Sequence, residues 1–200
     1  MKKLLMLLAL LALPTMLFAA VAGTAHDFSS AGNNYGTTAC SGCHKPHNAG
    51  TLIPLWNDSN KFDDTTYAAY SSPTDALNQT PGSTLGNVSQ ACMACHDGMV
   101  ESVNVDFSTA APVKASITTG LALDYTNKAQ GQHPVAIKYD DAGTNTALVA
   151  LTTVKSAGFK FYGTNSDTLE CATCHDPHND TNGDFLRAAR TTLCQTCHKN

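Results

Sequence analysis

The chain has 200 residues, with 12 basic and 16 acidic side chains and a formal net charge of −4. That length suits a single domain, and an acidic balance with no block of one sign argues against nucleic acid as a partner. Aromatic residues make up 7% of the chain, thin for a core built from protein alone.

The N-terminus reads first. Lys2 and Lys3 precede an apolar run, Leu4–Leu13, and an A-x-A site follows at Ala20-Val21-Ala22. This is the pattern of a secretory signal peptide over residues 1–22. An uncleaved anchor is the rival reading, but Pro14 interrupts a run already short for a membrane span. Cys40 is the first cysteine, so the mature start offers no cysteine for a lipid anchor. No later apolar stretch is long enough to cross a membrane. Residues 23–200 are expected to form one exported domain, extracellular or at the cell surface, or else periplasmic.

Four cysteine pairs follow: Cys40/Cys43, Cys92/Cys95, Cys171/Cys174 and Cys194/Cys197. Each is C-x-x-C, and each is followed at once by a histidine: His44, His96, His175 and His198. C-x-x-C-H is the attachment signal of c-type haem. Two thiols form thioethers with the haem vinyl groups, and the adjacent imidazole takes one axial position on iron. Disulfides and thiolate zinc sites are the rivals. Neither requires a histidine after every pair. Four covalently attached haem c groups, with their iron, are therefore expected.

Four histidines remain: His26, His47, His133 and His178. Four irons need four second axial ligands, so the count closes. Met93 and Met99 are the only methionines after residue 22, so at most two irons could take Met/His ligation. His/His ligation throughout is the simpler expectation and implies lower potentials. The plainer reading of any one spare histidine, His26 above all, is a surface residue.

His47 and His178 each lie three residues beyond a motif histidine, in C-x-x-C-H-x-P-H. Residues three apart on a helical turn project from one face, with Cβ atoms roughly 5–6 Å apart. The second ligand must approach the opposite face of the macrocycle. His178 therefore should not share the iron of His175, nor His47 that of His44, and each should reach a different haem. Pro46 and Pro177 stiffen these bridges.

Between the motifs, coil signals dominate. Residues 26–39 and 57–90 are rich in Ser, Thr, Asn, Asp and Gly and read as loop. Strand signals occur at Val103, Val105 and Phe107, at Val135–Tyr139, at Leu148–Val154 and at Phe159–Phe161, with Gly143 and Gly158 as turn residues. Phe185–His198 reads as a short helix after a turn at Asn182-Gly183. The expected fold class is mostly coil with short helices and a few short β-strands. The macrocycles would serve as its core, and the chain without haem would be largely unfolded.

Residues 171–198, CATCHDPHNDTNGDFLRAARTTLCQTCH, closely resemble the doubled CXXCH domain of multihaem c-type cytochromes, with Phe185-Leu186-Arg187-Ala188 and Leu193 matching its second half. Over residues 23–200 the layout is similar to the tetrahaem cytochromes that polymerise into extracellular filaments. The shared features are early His26, a first motif ending in H-x-x-H, a lone His133-Pro134-Val135 and a paired unit at the C-terminus. This resemblance implies a line of haems along a fibre and gives His47 the role of ligand to a haem in the next subunit. The pairing expected on that basis joins His26 to the haem of His44, His133 to that of His96 and His178 to that of His198. His47 then takes the haem of His175 across the interface.

The leading functional expectation is electron transfer without catalysis, as a homopolymer passing electrons to other redox proteins or extracellular acceptors. A monomeric periplasmic shuttle is the alternative. A multihaem reductase would need one iron with an open position, and no acid–base residue stands out for it. Denaturing mass spectrometry of the mature protein should show a mass increment of four haems; three or fewer in a fully matured sample, or bound zinc, would count against the assignment.

Overall fold

The computed structural model describes residues 21–27, 29, 38–47, 49–50, 53–56, 84–96, 133–139 and 145–199. Most of the proposed signal peptide, the strand signal at Val103–Phe107, Gly143 and most of the loop stretch 57–90 lie outside the described residues. The backbone is described at all eight cysteines and all eight histidines. Cys95 is the exception among their side chains: it is described only as a position in a helix, and its thiol lies outside the described set.

Among the described residues regular structure is sparse, as the local coil signals predict. Helix α1 spans Asn87–His96, strand β1 Ile137–Lys138, helix α2 Leu151–Ser156, strand β2 Thr168–Leu169, helix α3 Cys171–Cys174 and helix α4 Arg190–Cys197. The two strands pair antiparallel, Ile137 opposite Leu169 and Lys138 opposite Thr168. Among the described residues no helix is long and apolar enough to cross a membrane.

The local reasons are legible. In α1, the small residues Ser89, Ala91 and Ala94 and the flexible Met93 are all buried, so the helix can pack tightly on one side. The loop reading of residues 57–90 is therefore too long by the first turn of this helix. The Leu148–Val154 segment departs further from expectation. Leu151 and Val154, three apart, face the core as a helix requires, while Thr152, Thr153 and Lys155 are not part of it. That period is 3, not 2, and α2 forms where β-branching suggests strand. Gly158 ends it in the left-handed region, at φ 94°, as a C-terminal glycine does.

Phe159 and Phe161 are buried and Lys160 exposed, the expected alternation, although the segment pairs only through a single bridge from Tyr162 to Thr168. The helix expected over Phe185–His198 begins only at Arg190. Asp184 and Phe185 adopt φ of 49° and 56°, which no helix tolerates.

A small protein core does exist, against the expectation that haem alone would supply one. Met93 from α1, Ile137 from β1, Val154 from α2 and Leu169 from β2 meet Phe159 and Phe161 there. Tyr139 lies edge-on to Phe161, with ring centroids 5.2 Å apart. Cys171, Cys197, Ala188 and Leu193 border this cluster, so the last two cysteine motifs sit on its rim.

Tyr139 ties that core to the last motif. Its hydroxyl lies 2.8 Å from the carbonyl oxygen of Val149 and 3.0 Å from that of Cys197, one proton serving both acceptors. Tyr139→Phe should cost about 1 kcal/mol, seen as a lower guanidinium midpoint of the holoprotein with its haem content unchanged.

Candidate functional site

Each C-x-x-C-H motif is one turn of helix. The histidine N–H donates to the carbonyl of the first cysteine in His44 to Cys40 (2.9 Å), His175 to Cys171 (3.1 Å) and His198 to Cys194 (2.9 Å). The second motif lies inside α1 and ends it at His96. One helical turn sets residues three apart on a common face, as attachment to a single macrocycle needs. Of the eight thiols expected to carry haem, the structure describes seven. Cys95 is not among them, so its thioether role stays an expectation from the motif, with only its place on the last turn of α1 on view.

After that turn the chain straightens. His175 and His198, with φ/ψ of −107°/148° and −103°/132°, are extended. His44 pairs by a backbone bridge with Trp56, His175 with Leu186 and His198 with Leu148, all antiparallel. Three of the four motif histidines are thus pinned to a distant residue by main-chain hydrogen bonds, among them Lys45 N–H to Leu55 (2.9 Å), Arg187 N–H to Cys174 (2.9 Å) and Val149 N–H to Cys197 (2.8 Å). No side-chain pattern announces such bridges, so they are invisible to sequence reading.

The imidazoles form three pairs. His26 faces His96 with ring centroids 6.2 Å apart, His178 faces His44 at 6.1 Å, and His133 faces His198 at 6.3 Å. A metal–imidazole bond of roughly 2.0 Å on each side of one ion puts two ring centroids about 6.3 Å apart. Edge contacts between aromatic rings also fall near this distance. Composition of the pairs separates the two explanations: every pair joins one motif histidine to one spare histidine. The interplanar angles of 68°, 18° and 63° are no obstacle, because rotation about a metal–nitrogen bond leaves the spacing unchanged.

This pairing differs from the one expected above. His26 meets His96 rather than His44, His133 meets His198 rather than His96, and His178 meets His44 rather than His198. The reason is packing. α1 lies against α3, and the His26 ring, hydrogen-bonded to the Pro177 carbonyl, is held beside the end of α1. His133 sits at the start of the segment leading into β1, whose Tyr139 is bonded to the last motif. The His178 ring faces another motif's histidine, His44, rather than His175, the direction that its spacing from His175 predicts. His47 and His175 are the two left without a ring partner at this spacing among the described residues. Both are exposed. Met93 is fully buried in the apolar core.

The electrostatics suit neutral imidazoles. Desolvation pushes His26 below the usual histidine range, helped by His96 and opposed by its bond to the Pro177 carbonyl and by Asp180. His133 keeps an exposed edge, yet desolvation is still the largest influence lowering it, with His198 adding to the effect. Metal binding requires the unprotonated ring. His133 Nδ1 lies 3.0 Å from the carbonyl oxygen of Pro134, and His175 Nδ1 2.8 Å from that of Asp184. Donation from Nδ1–H in each leaves Nε2 as the nitrogen that could take a metal. Among the thiols, burial raises Cys43 and Cys174 to about 11. Thiols so shifted hold their protons at neutral pH and are poor thiolate ligands or exchange partners. The seven cysteines with described side chains, all but Cys95, are free of disulfides.

Three residues support the site in ways that the sequence does not announce; Phe185 and Arg187 stand out there only by resemblance, and Glu170 not at all. Phe185, strained in the left-handed region, stacks on His26 with centroids 4.2 Å apart and planes 13° apart. Arg187 donates from Nε to the Ala172 carbonyl (3.0 Å) and pairs with Asp176 (3.0 Å), bracing the turn between His175 and His178. Glu170 is 3% exposed and binds both haem-motif helices that meet beside it. It caps α3 through a reciprocal capping box with Thr173. It also accepts from Gly86 N–H (3.2 Å) and from the Ser89 hydroxyl at the start of α1. Ser89 in turn accepts from Cys171 N–H at 2.9 Å. The thiols of Cys92 and Cys171 are hydrogen-bonded to each other, so two attachment sites abut.

A family model described as the doubled CXXCH motif matches residues 165–200. No curated protein matches the chain. The motif points to a haem c-binding electron-transfer protein of the multihaem cytochrome type. The residues present fit that cofactor: cysteine pairs on single helical turns, each followed by an imidazole, three of which face a second imidazole across the span of one metal ion.

The close approach of α1 to Glu170 needs a residue without a side chain at position 86. A Cβ there would clash with the Glu170 carboxylate, Oε1 first and Cδ at 2.9 Å. Gly86→Ala should destabilise the holoprotein by roughly 1–3 kcal/mol, measured by denaturant unfolding.

Proposed function

We propose that the chain is a tetrahaem electron carrier with two histidines on every iron, working as a subunit of an electron-conducting filament outside the cytoplasm. The observation that carries this reading is the threefold match of a motif histidine with a spare one at 6.1–6.3 Å. Haem, tethered at Cys40/Cys43, Cys92/Cys95, Cys171/Cys174 and Cys194/Cys197, would supply a one-electron iron couple. Two imidazoles per iron leave no position for a substrate, which favours carriage over catalysis, and they hold potentials below those of Met/His sites.

The chain's own residues do the rest. Short motif turns packed against one another keep attachment sites close: Cys92 touches Cys171, and Cys194 and Cys197 act electrostatically on Cys174. The unit tethered at Cys171/Cys174 thus neighbours two others. It also neighbours the first, since His178, three residues from His175, faces His44.

His47 and His175 support the filament. His175 needs a second ligand, and His47 is the one spare histidine not engaged with a motif histidine among the described residues. His47 lies on an exposed loop closed by the His44–Trp56 bridge. A bond from His47 to the iron of His175 in the next copy would satisfy both and repeat without end. Such a metal bond would make assembly depend on ligation as well as on buried area. His175 is exposed and its Nδ1 is held by the Asp184 carbonyl, which also suits a second reading, a reductase with one open iron there.

His47→Ala separates these readings. The variant should mature with four haems, form no fibres by electron microscopy and show one high-spin ferric haem by electron paramagnetic resonance. Fibres with every iron low-spin would refute His47 as the cross-subunit ligand. Wild-type protein that is monomeric and wholly low-spin would favour the periplasmic shuttle, and a stoichiometric high-spin signal in wild type the reductase.

A further inference from the structure

We propose that Glu170 is a proton-exchange site coupled to electron transfer at the haem tethered by Cys171 and Cys174. The proposal rests on the haem assignment above, and not on the filament.

The geometry is unusual for a carboxylate. Glu170 is 3% exposed, and its neighbours Ser89 and Thr173 are fully buried. Its donors are all neutral: Gly86 N–H, the Ser89 hydroxyl and the Thr173 backbone. Among the described residues no lysine, arginine or histidine pairs with it. Both carboxylate oxygens are used as acceptors, Oε1 from Gly86 N–H and Oε2 from the Ser89 hydroxyl, so the pocket is built for a carboxyl group, yet burying its ionised form is costly without a paired cation. Glu170 sits one residue before Cys171, whose sulfur would be bonded to the macrocycle.

Burial moves this carboxyl above the usual carboxylate range, against the opposing influence of Ser89 and Gly86. The titratable group facing it is Cys171, with Cys92 beyond. Both lose their protons permanently on becoming thioethers, so neither titrates in the mature protein. A haem held at Cys171 and Cys174 would supply an Fe(III)/Fe(II) couple, and an electron delivered to it by a one-electron donor would add a negative charge beside Glu170. The ionised Glu170 is then disfavoured and takes a proton from water, giving the neutral acid. Oxidation returns the electron to an acceptor and the proton to water. No bond other than the O–H is made or broken. Because the reduced haem favours the protonated acid, the midpoint of that haem falls as pH rises between the two Glu170 pKa values. It is level on either side of that window.

The test is a spectroelectrochemical titration of the mature holoprotein over roughly pH 5 to 9, comparing wild type with Glu170→Gln. Wild type should contain a haem component with a falling midpoint. In Glu170→Gln that component should lose the slope and stay at the wild-type low-pH position, hence more positive at neutral pH. Proton uptake on dithionite reduction, followed with a dye in weak buffer, should fall in the same variant. A slope unchanged in Glu170→Gln assigns it to the haem propionates and overturns the proposal. Should Glu170→Gln fail to mature, Ser89→Ala provides the second test. It removes a hydroxyl that stabilises the ionised carboxylate, so the window should move to higher pH, and an unmoved window overturns the proposal equally. The same spectra report the haems, so failure of the haem assignment shows as absent absorbance in wild type. That is distinct from a haem-loaded variant that keeps its slope.

Discussion

Three of the four motif histidines are met by a second imidazole some 6 Å away, and among the described residues each partner comes from far along the chain: His44 meets His178, His96 meets His26, and His198 meets His133. Most of the arrangement follows from these contacts. These pairings connect the first motif to the third and both termini of the described chain to its middle. Among the described residues no sheet or bundle is large enough to organise a fold in the usual way. Loop closure over such separations costs entropy that grows only slowly with length, so pairs between distant segments are tolerable.

What regular structure exists is placed to hold the motif turns. Three motif histidines leave their helical turn and pair through the backbone with Trp56, Leu186 and Leu148, so the main chain fixes where each ring starts. Tyr139 holds the last motif to the apolar core, and Glu170 holds the second motif to the third. The strained Asp184–Phe185 pair sits where Phe185 stacks on His26 and the Asp184 carbonyl orients His175. A left-handed phenylalanine persists only where its surroundings over-determine it. Here the Asp180 carboxylate accepting from Phe185 N–H at 2.8 Å and the His175–Leu186 bridge do so.

The apolar cluster modifies the expectation of a core made of cofactor alone. It is small, but it draws on the second motif through Met93 and has Cys171 and Cys197 of the third and fourth at its edge. Two phenylalanines and a tyrosine, Phe159, Phe161 and Tyr139, supply its aromatic bulk. The motifs are thereby presented from a common support, and the neighbouring attachment sites are brought into contact.

Much was determined by the sequence alone, because covalent chemistry depends on spacing along the chain. Four C-x-x-C-H units with four further histidines define the cofactor chemistry and the pool of candidate ligands. Cys95 shows how far this goes: its expected task follows from its spacing to Cys92 and His96 and from nothing else. C-x-x-C-H-x-P-H is likewise enough to say that His178 must look away from His175. The alternation at Phe159–Phe161 and the turn at Gly183 were equally readable, since both are local. The partner of each histidine was not, because it depends on which turns pack together, and α1 against α3 is a contact between segments some eighty residues apart. The period at Leu151 and Val154 was masked by β-branched neighbours until burial showed which side chains face inward. Glu170 looked like any surface glutamate. Only tertiary packing, which excludes water from its carboxylate and sets neutral donors around it, makes it a group with a task.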